Sequence, residues 1–245
     1  MASKIFTGAY IKESIDSVLA QSYPNWELII VDDCSIDNTD EIVASIQDRR
    51  IKYIKNKENS GAAVSRNRAL REARGKWIAF LDSDDLWLPE KLEKQIEFMV
   101  TNNYHFSYTN YEEIDEYSNC KGRYITGPKK IGRTAMYSYC WPGCLTVMYD
   151  ADKIGLIQIA DIKKNNDNAL FYPVLKKCNN AMGYKECLGL YRIRKGSISR
   201  NKFKMIEPYV KVLHDFEGHS LFLSYFCVLT HFIIKIFFKY RKYNF

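Results

Sequence analysis

Asp82-Ser83-Asp84-Asp85 closes an apolar run, Trp77 to Leu81, and gives way at once to Leu86-Trp87-Leu88-Pro89. Three carboxylates packed where a buried strand surfaces repel one another, and a divalent cation or a bound polar ligand relieves that repulsion. The pattern points to a metal-assisted site for a phosphate-bearing substrate. It also admits a plainer reading, in which Ser83, Asp84 or Asp85 caps a helix opened by Pro89, whose ring suits a first helical turn. A second acidic pair, Asp32-Asp33, ends the apolar run Trp26 to Val31. Asp167 begins another helical segment, where it could equally be a helix-start acid.

The elements that must position these acids can be read from periodicity. Ile11, Ile15, Val18 and Leu19 recur at helical spacing and stop at the turn signal Tyr23-Pro24-Asn25. Trp26 to Val31 reads as a strand buried on both faces, 40 to 47 as a helix, Ile51 to Ile54 as a strand, 61 to 73 as an Ala-rich helix closed by Gly75, and Trp77 to Leu81 as a strand. This alternation predicts an α/β fold with an open, mainly parallel sheet flanked by helices, whose ligand crevice lies beyond the carboxyl ends of the strands. Both acidic clusters fall at such ends and would share one edge. No GxGxxG or GxxxxGK[ST] loop is present, so metal and side chains must hold any phosphate. Beyond the helix of Leu92, Ile96, Met99 and Val100 come an aromatic strand from Tyr104 to Tyr111, an apolar strand from Leu145 to Tyr149, a helix from 165 to 177, and a strand from Leu190 to Arg194. The last runs into the basic, hydroxyl-rich Lys195 to Ser199, which could hold anionic oxygens.

At 245 residues, 47% of them hydrophobic, the chain can bury a substantial core. Its seven cysteines are odd in number and show no CxxC pairing, which disfavours a disulfide framework or a zinc site and suggests reduced thiols. His105, His214, His219 and His231 show no metal-ligand spacing. The net charge of +7 is scattered, without a nucleic-acid reading module, so no nucleic acid is expected as a partner. No signal peptide pattern is visible, and residence on the cytosolic side is expected. Leu221 to Phe238 is apolar and aromatic but interrupted by His231 and Lys235; with Lys239, Arg241 and Lys242 it reads either as an interfacial helix drawn to an anionic membrane surface or as a terminal core helix.

Ser14 to Tyr23, Trp26 to Ser35, Asp37-Asn38-Thr39, Asn59 to Asn67 and Phe80 to Trp87 together resemble, in order, successive motifs of the family 2 glycosyltransferases. The close match covers about residues 11 to 100, and weaker similarity continues to Ser199. The resemblance implies a glycosyltransferase A-type fold that inverts the anomeric centre of a nucleotide-sugar donor, with Mn²⁺ or Mg²⁺ as cofactor and a glycan or lipid-linked acceptor. It divides the chain into a domain from 1 to 215, with a nucleotide-binding part to residue 100 and an acceptor-binding part beyond it, and a tail from 216 to 245. By position, Asp33 resembles the residue that binds the uracil base, Asp82 and Asp84 fall on the donor side of the DXD region, and Asp85 corresponds to the metal ligand. Arg66 would lie near the donor, although Ser65 replaces the usual Ala. Asp167 matches the catalytic base. Arg192, Arg194, Ser197 and Ser199 resemble a loop that closes over the diphosphate. Trp87 would pack either beside the sugar or as a buried wedge.

One departure stands out. Relatives begin with an apolar strand ending in a Thr/Pro-x-Tyr-Asn turn, whereas Ile5 and Phe6 occupy the place of Tyr-Asn here and hardly any strand precedes them. The expectation is either a longer reading frame or a sheet with exposed edges. Two other readings follow: a catalytically impaired remnant that binds a nucleotide or a partner, and a phosphohydrolase with Asp82 as nucleophile.

Overall fold

The structure, a computed structural model, describes residues 8–160, 162, 164–194 and 205–237. The first part alternates as its periodicity predicts: α1 (Gly8–Leu19), β1 (Leu28–Asp32), α2 (Thr39–Ala44), β2 (Ile51–Lys55), α3 (Ala62–Glu72), β3 (Trp77–Ala79), β4 (Leu86–Trp87) and α4 (Lys91–Thr101). The second part holds β5 (Phe106–Ile114), β6 (Cys120–Ile125), β7 (Lys130–Gly132), α5 (Arg133–Ser138), β8 (Val147–Asp150), α6 (Ala151–Ile154), α7 (Asn166–Cys178), β9 (Asn180–Arg192), α8 (Ile206–Lys211) and α9 (Leu221–Phe237).

β1 and β2 form a parallel pair. The other strands form a seven-stranded sheet in the order β3-β8-β5-β9-β4, with β6 beside β5 and β7 beside β9. Only β5 and β9 are parallel there; the remaining five pairings are antiparallel, so the large sheet is mixed rather than mainly parallel. The reason is β8, which runs against both its neighbours, and the short turn joining β5 to β6. Hydrophobic runs mark strands but carry no direction.

Helices cover both faces of this sheet. α7 contributes Leu170, Phe171, Tyr172, Val174 and Leu175 to the main core against Phe106, Val147 and Tyr149. On the opposite face Val18 of α1, Leu92 and Met99 of α4 and Trp87 gather around Met148. The aromatic stripe of β5 is core: Phe106, Tyr108 and Tyr111 are all buried. Trp87 is likewise a wedge, donating from Nε1 to the Leu145 carbonyl at 2.8 Å. No disulfide joins the seven cysteines.

Two elements are less covered than their composition suggests. Leu28, Ile29, Ile30 and Val31 of β1 remain partly exposed, because the edge opposite β2 carries no strand among the described residues. α9 packs Ser224, Cys227 and Val228 inward yet leaves Leu221, Phe222, Tyr225, Phe226, Leu229 and Ile233 exposed, Phe222 by 84%. No helix among the described residues is long and apolar enough to cross a membrane.

Candidate active site

The turn before α3 builds the first part of the site. Gly61 adopts φ 90°, a conformation that favours glycine, and lets the chain enter α3 with its amides turned toward β1. The Asp33 carboxylate accepts from Asn56 Nδ2 at 2.8 Å, the Ser60 amide at 2.9 Å and the Gly61 amide at 2.7 Å. Burial alone would raise its pKa, but these donors outweigh burial and lower it. Asp33 is thus a fixed anion at a helix N-terminus, facing the cavity that opens beyond β1.

One turn further along α3, Arg66 joins two parts of the chain far apart in sequence. Its Nη2 donates to Asp82 Oδ1 at 2.6 Å and its Nη1 to Asp167 Oδ1 at 3.0 Å. Asp167 is brought there by the start of α7 and Asp82 by the end of the β3 segment. Both carboxylates keep open faces, with side-chain exposures of 44% for Asp82 and 42% for Asp167. The Asp167 pKa is raised, first by burial among the surrounding protein atoms and then, against the opposing charge of Arg66, by Asp82. Cys144 lies in the same cluster, its thiol donating a hydrogen bond to the Asp167 carboxylate and its pKa pushed well up by burial. Nothing in its sequence neighbourhood announced this position.

The rest of the acidic loop divides in a way the sequence does not show. Asp84 lines the cavity and pairs with Arg194 at 2.5 Å. Its pKa is raised by burial, with Arg194 opposing and Asp82 adding. Asp85, expected to be the metal ligand, is instead buried, and its Oδ1 accepts from the Arg192 amide at 2.9 Å. Burial and the charges of Asp82 and Asp84 push its pKa well up. Arg192, expected near the donor, is also withdrawn from the cavity. Its guanidinium donates to the carbonyls of Asp84 (2.7 Å) and Asp115 (3.3 Å), to Ser118 Oγ (2.8 Å) and to Glu13 Oε2 (2.9 Å). Arg192 is a clamp that ties the acidic loop to α1 and the β5–β6 turn, and Arg194 takes the place at the cavity wall. Ser197 and Ser199 lie outside the described residues.

Asp33, Arg66, Asp82, Asp84 and Arg194 line one cavity of about 1510 Å³. The three acids lie at the carboxyl ends of β1 and of the β3 segment, as expected for a ligand crevice in an α/β fold, and Arg66 of α3 and Arg194 just beyond β9 reach in from their own elements. Residues 7–145 match the domain described as glycosyl transferase family 2. The chain belongs to that family. Over 227 residues it is 41% identical to the UDP-Glc:alpha-D-GlcNAc-diphosphoundecaprenol beta-1,3-glucosyltransferase WfgD of Escherichia coli, covering 92% of this chain and 88% of that one. Among solved structures, S. aureus TarS 1-349 in complex with UDP-GlcNAc superposes with a TM-score of 0.68 at 18% identity, over 95% of this chain and 70% of that chain. The mannosyltransferase PcManGT from Pyrobaculum calidifontis, in complex with GDP-Man and Mn²⁺, gives 0.62 at 14% identity over 92% and 66%. The fold of this family 2 protein is therefore the glycosyltransferase A type, and the protein is a nucleotide-sugar-dependent glycosyltransferase. Membership in this family displaces the phosphohydrolase reading of Asp82.

Proposed function

We propose that this glycosyltransferase moves a hexose from a UDP-sugar to a hydroxyl of a lipid-linked or growing glycan, with inversion, in the synthesis of a cell-surface polysaccharide. The observation that carries the proposal is the single guanidinium of Arg66 between Asp82 and Asp167, which joins an acid that lines the cavity to a candidate base beside it. The name of the relative WfgD supports the donor and acceptor classes.

In this reading Asp33, ionised and rigid, accepts from the N3–H of the uracil base. Arg66 and Arg194 bring positive charge to the diphosphate. Asp167, a carboxylate with a raised pKa and an open face, takes the proton of the acceptor hydroxyl as it attacks the anomeric carbon from the side opposite the leaving group. Its coupling to Arg66 holds that oxygen in place before substrate arrives. The acceptor meets residues from the part of the chain after 100.

A divalent cation fits the donor set through Asp84. This carboxylate lines the cavity, and its repulsion from Asp82 is the kind of crowding a cation relieves. Among the described residues no group of three or more acids, histidines or cysteines could hold a metal by itself, so the diphosphate would complete the coordination. When bound, the cation supplies Lewis-acid stabilisation of charge on the departing nucleoside diphosphate. Asp85 supports this arrangement from behind by fixing the backbone of Arg192. The exposed apolar face of α9, followed in the sequence by Lys239, Arg241 and Lys242, suits peripheral attachment to an anionic membrane surface, where a lipid-linked acceptor would reside.

The test is to offer UDP-glucose, UDP-galactose and their N-acetyl forms with Mn²⁺ and a lipid-diphosphate-linked sugar, and to measure UDP release and the anomeric configuration of the product. Release that requires acceptor and is lost in Asp167→Asn supports the proposal. Unchanged turnover in Asp167→Asn overturns it.

A further inference from the structure

Cys144, Leu145 and Thr146 form a single 3₁₀ turn between α5 and β8, and all three are buried. Four hydrogen bonds pin the turn. The Thr146 amide and Oγ1 donate to the Gly143 carbonyl at 3.0 and 2.7 Å, Trp87 Nε1 donates to the Leu145 carbonyl at 2.8 Å, and Gln95 Nε2 donates to the Thr146 carbonyl at 3.0 Å. Two of these donors are side chains reaching in from β4 and α4, and every acceptor is a main-chain oxygen. The path of the chain here therefore does not depend on the side chain at position 144.

What the turn fixes is the direction of that side chain. The Cys144 thiol donates to the Asp167 carboxylate. Arg66 Nη1 meets the same carboxylate from α3, at Oδ1. These donors come from outside the helix that carries the acid. Asn165, at the N-cap of α7, makes no side-chain cap bond, and Asn165 Nδ2, Asn166 Oδ1 and Asn168 Oδ1 have no hydrogen-bond partner among the described residues. A carboxylate gripped at one oxygen still turns about its Cβ–Cγ bond, because such terminal torsions are broad. A second donor, arriving from another element, stops that rotation.

The donor also has to remain a donor. Burial pushes the Cys144 thiol well up, with Asp167 and Asp82 adding and Arg66 opposing, so it keeps its proton at neutral pH and brings no second anion to Asp167. The charged groups acting on Asp167 are Arg66 of α3 and Asp82 at the end of the β3 segment, while Lys91 of α4 acts on Cys144. A thiol is a weak donor. It can orient a carboxylate while taking little of the basicity that proton abstraction needs.

We propose that Cys144 is a positioning residue: from its pinned turn the thiol fixes the plane of the Asp167 carboxylate and aims the open face at the acceptor hydroxyl. This role presupposes that Asp167 is the base, as proposed for sugar transfer.

The test is steady-state turnover and pH–rate profiles of the full chain with UDP-sugar and acceptor. Cys144→Ala should lower kcat about three- to tenfold with little change in either KM, the loss of one hydrogen bond made in the transition state. Its rising limb should move to higher pH, because a donor to the charged carboxylate is gone. Cys144→Ser should recover most of the lost kcat, and its limb should lie at or below the parental pH, since a hydroxyl is the stronger donor. In an Asp167→Asn background, Cys144→Ala should cost nothing further. A cysteine that only fills the core would lower turnover by the same factor in both backgrounds and leave the limb in place, and that result overturns the inference. Should Cys144→Ala not fold, Cys144→Ser decides by itself: a limb displaced to higher pH in that protein overturns the role. Unchanged turnover in Asp167→Asn would defeat the base reading, whereas full loss there with a parental limb in Cys144→Ala defeats the role of Cys144 alone.

Discussion

Asp82 and Asp167 are held by the same guanidinium, Arg66 Nη2 reaching the first at 2.6 Å and Nη1 the second at 3.0 Å. Without that cation, two partly exposed carboxylates from different parts of the chain would lie near each other with no charge between them. Arg66→Met should therefore destabilise the fold by about 2 kcal/mol, less than the loss of a fully buried pair because both acids keep open faces. Adding Asp82→Asn should restore part of that stability, a non-additivity read by urea unfolding of the two single variants and the double. Activity should fall in Arg66→Met by about 100-fold or more, since the positive charge for the diphosphate is lost with it.

The same contact sets a pH dependence. As the proposed base Asp167 must be ionised to accept a proton, and its pKa is raised by burial while Arg66 pulls it down. Turnover should therefore rise with pH through a limb above the ordinary carboxylate range. Removing the guanidinium removes the downward pull, so the residual activity of Arg66→Met should show that limb at higher pH. A pH–rate profile that is unchanged between the two proteins would assign the limb to another group. Asp167→Asn should lose about 10²- to 10⁴-fold across the whole range.

Under the proposed function, Asp84 serves the cation and Asp85 the scaffold, and the two can be told apart. Asp84→Asn should raise the Mn²⁺ concentration needed for half-maximal UDP release. Asp85→Asn keeps an acceptor for the Arg192 amide and removes a buried charge. The Asp85 pKa is raised in the folded state, so its ionisation costs stability as pH rises from the unfolded value toward the folded one. Asp85→Asn should thus be at least as stable as the parent at pH 7 and should retain its Mn²⁺ response. Loss of that response instead would return the metal role to Asp85.

The residues that could be placed from sequence are those whose position follows from local pattern. Apolar runs closed by acids located β1, the β3 segment, Asp33 and Asp82, and helical periodicity located α1, α3 and α7. What stayed hidden depends on groups that sequence does not display. Arg192 is consumed by carbonyls of Asp84 and Asp115, and main-chain acceptors are the same at every position. Cys144 reaches Asp167 from an aromatic, irregular stretch with no periodicity. β9 is 13 residues long and pairs with β5, β7 and β4, but its Gly183, Lys185, Glu186 and Gly189 broke the apolar run that would have revealed it.

Lys91 gives a stability prediction away from substrate. It is fully buried at the start of α4, its Nζ 3.9 Å from the Trp87 ring centroid and without a hydrogen-bond partner among the described residues. Burial pushes its pKa down to about 7. Between that value and the unfolded one, about 10.4, the unfolded chain binds the extra proton, so stability contributed at this site rises with pH. The penalty is full below about pH 7 and gone once the unfolded lysine has also deprotonated. Lys91→Met should be more stable than the parent by about 2 kcal/mol at pH 7, after the lost cation–π contact is counted, and the gap should close toward pH 10. Urea unfolding of both proteins at the two pH values measures it.

α9 presents Phe222, Tyr225, Phe226 and Leu229 to solvent while Cys227 and Val228 anchor it to the domain. A docked helix gains nothing from an outward row of large apolar side chains unless that row meets another surface. If the surface is an anionic bilayer, the protein should float with phosphatidylglycerol vesicles and not with phosphatidylcholine vesicles, and added salt should weaken the binding. Phe222→Ser with Leu229→Ser should reduce flotation by about tenfold or more while leaving UDP-sugar hydrolysis without acceptor, and the thermal midpoint, close to those of the parent, because neither side chain packs on the core. Equal flotation on both lipids would remove the electrostatic part of the argument. Retention of binding by the double variant would place the membrane contact elsewhere on the protein.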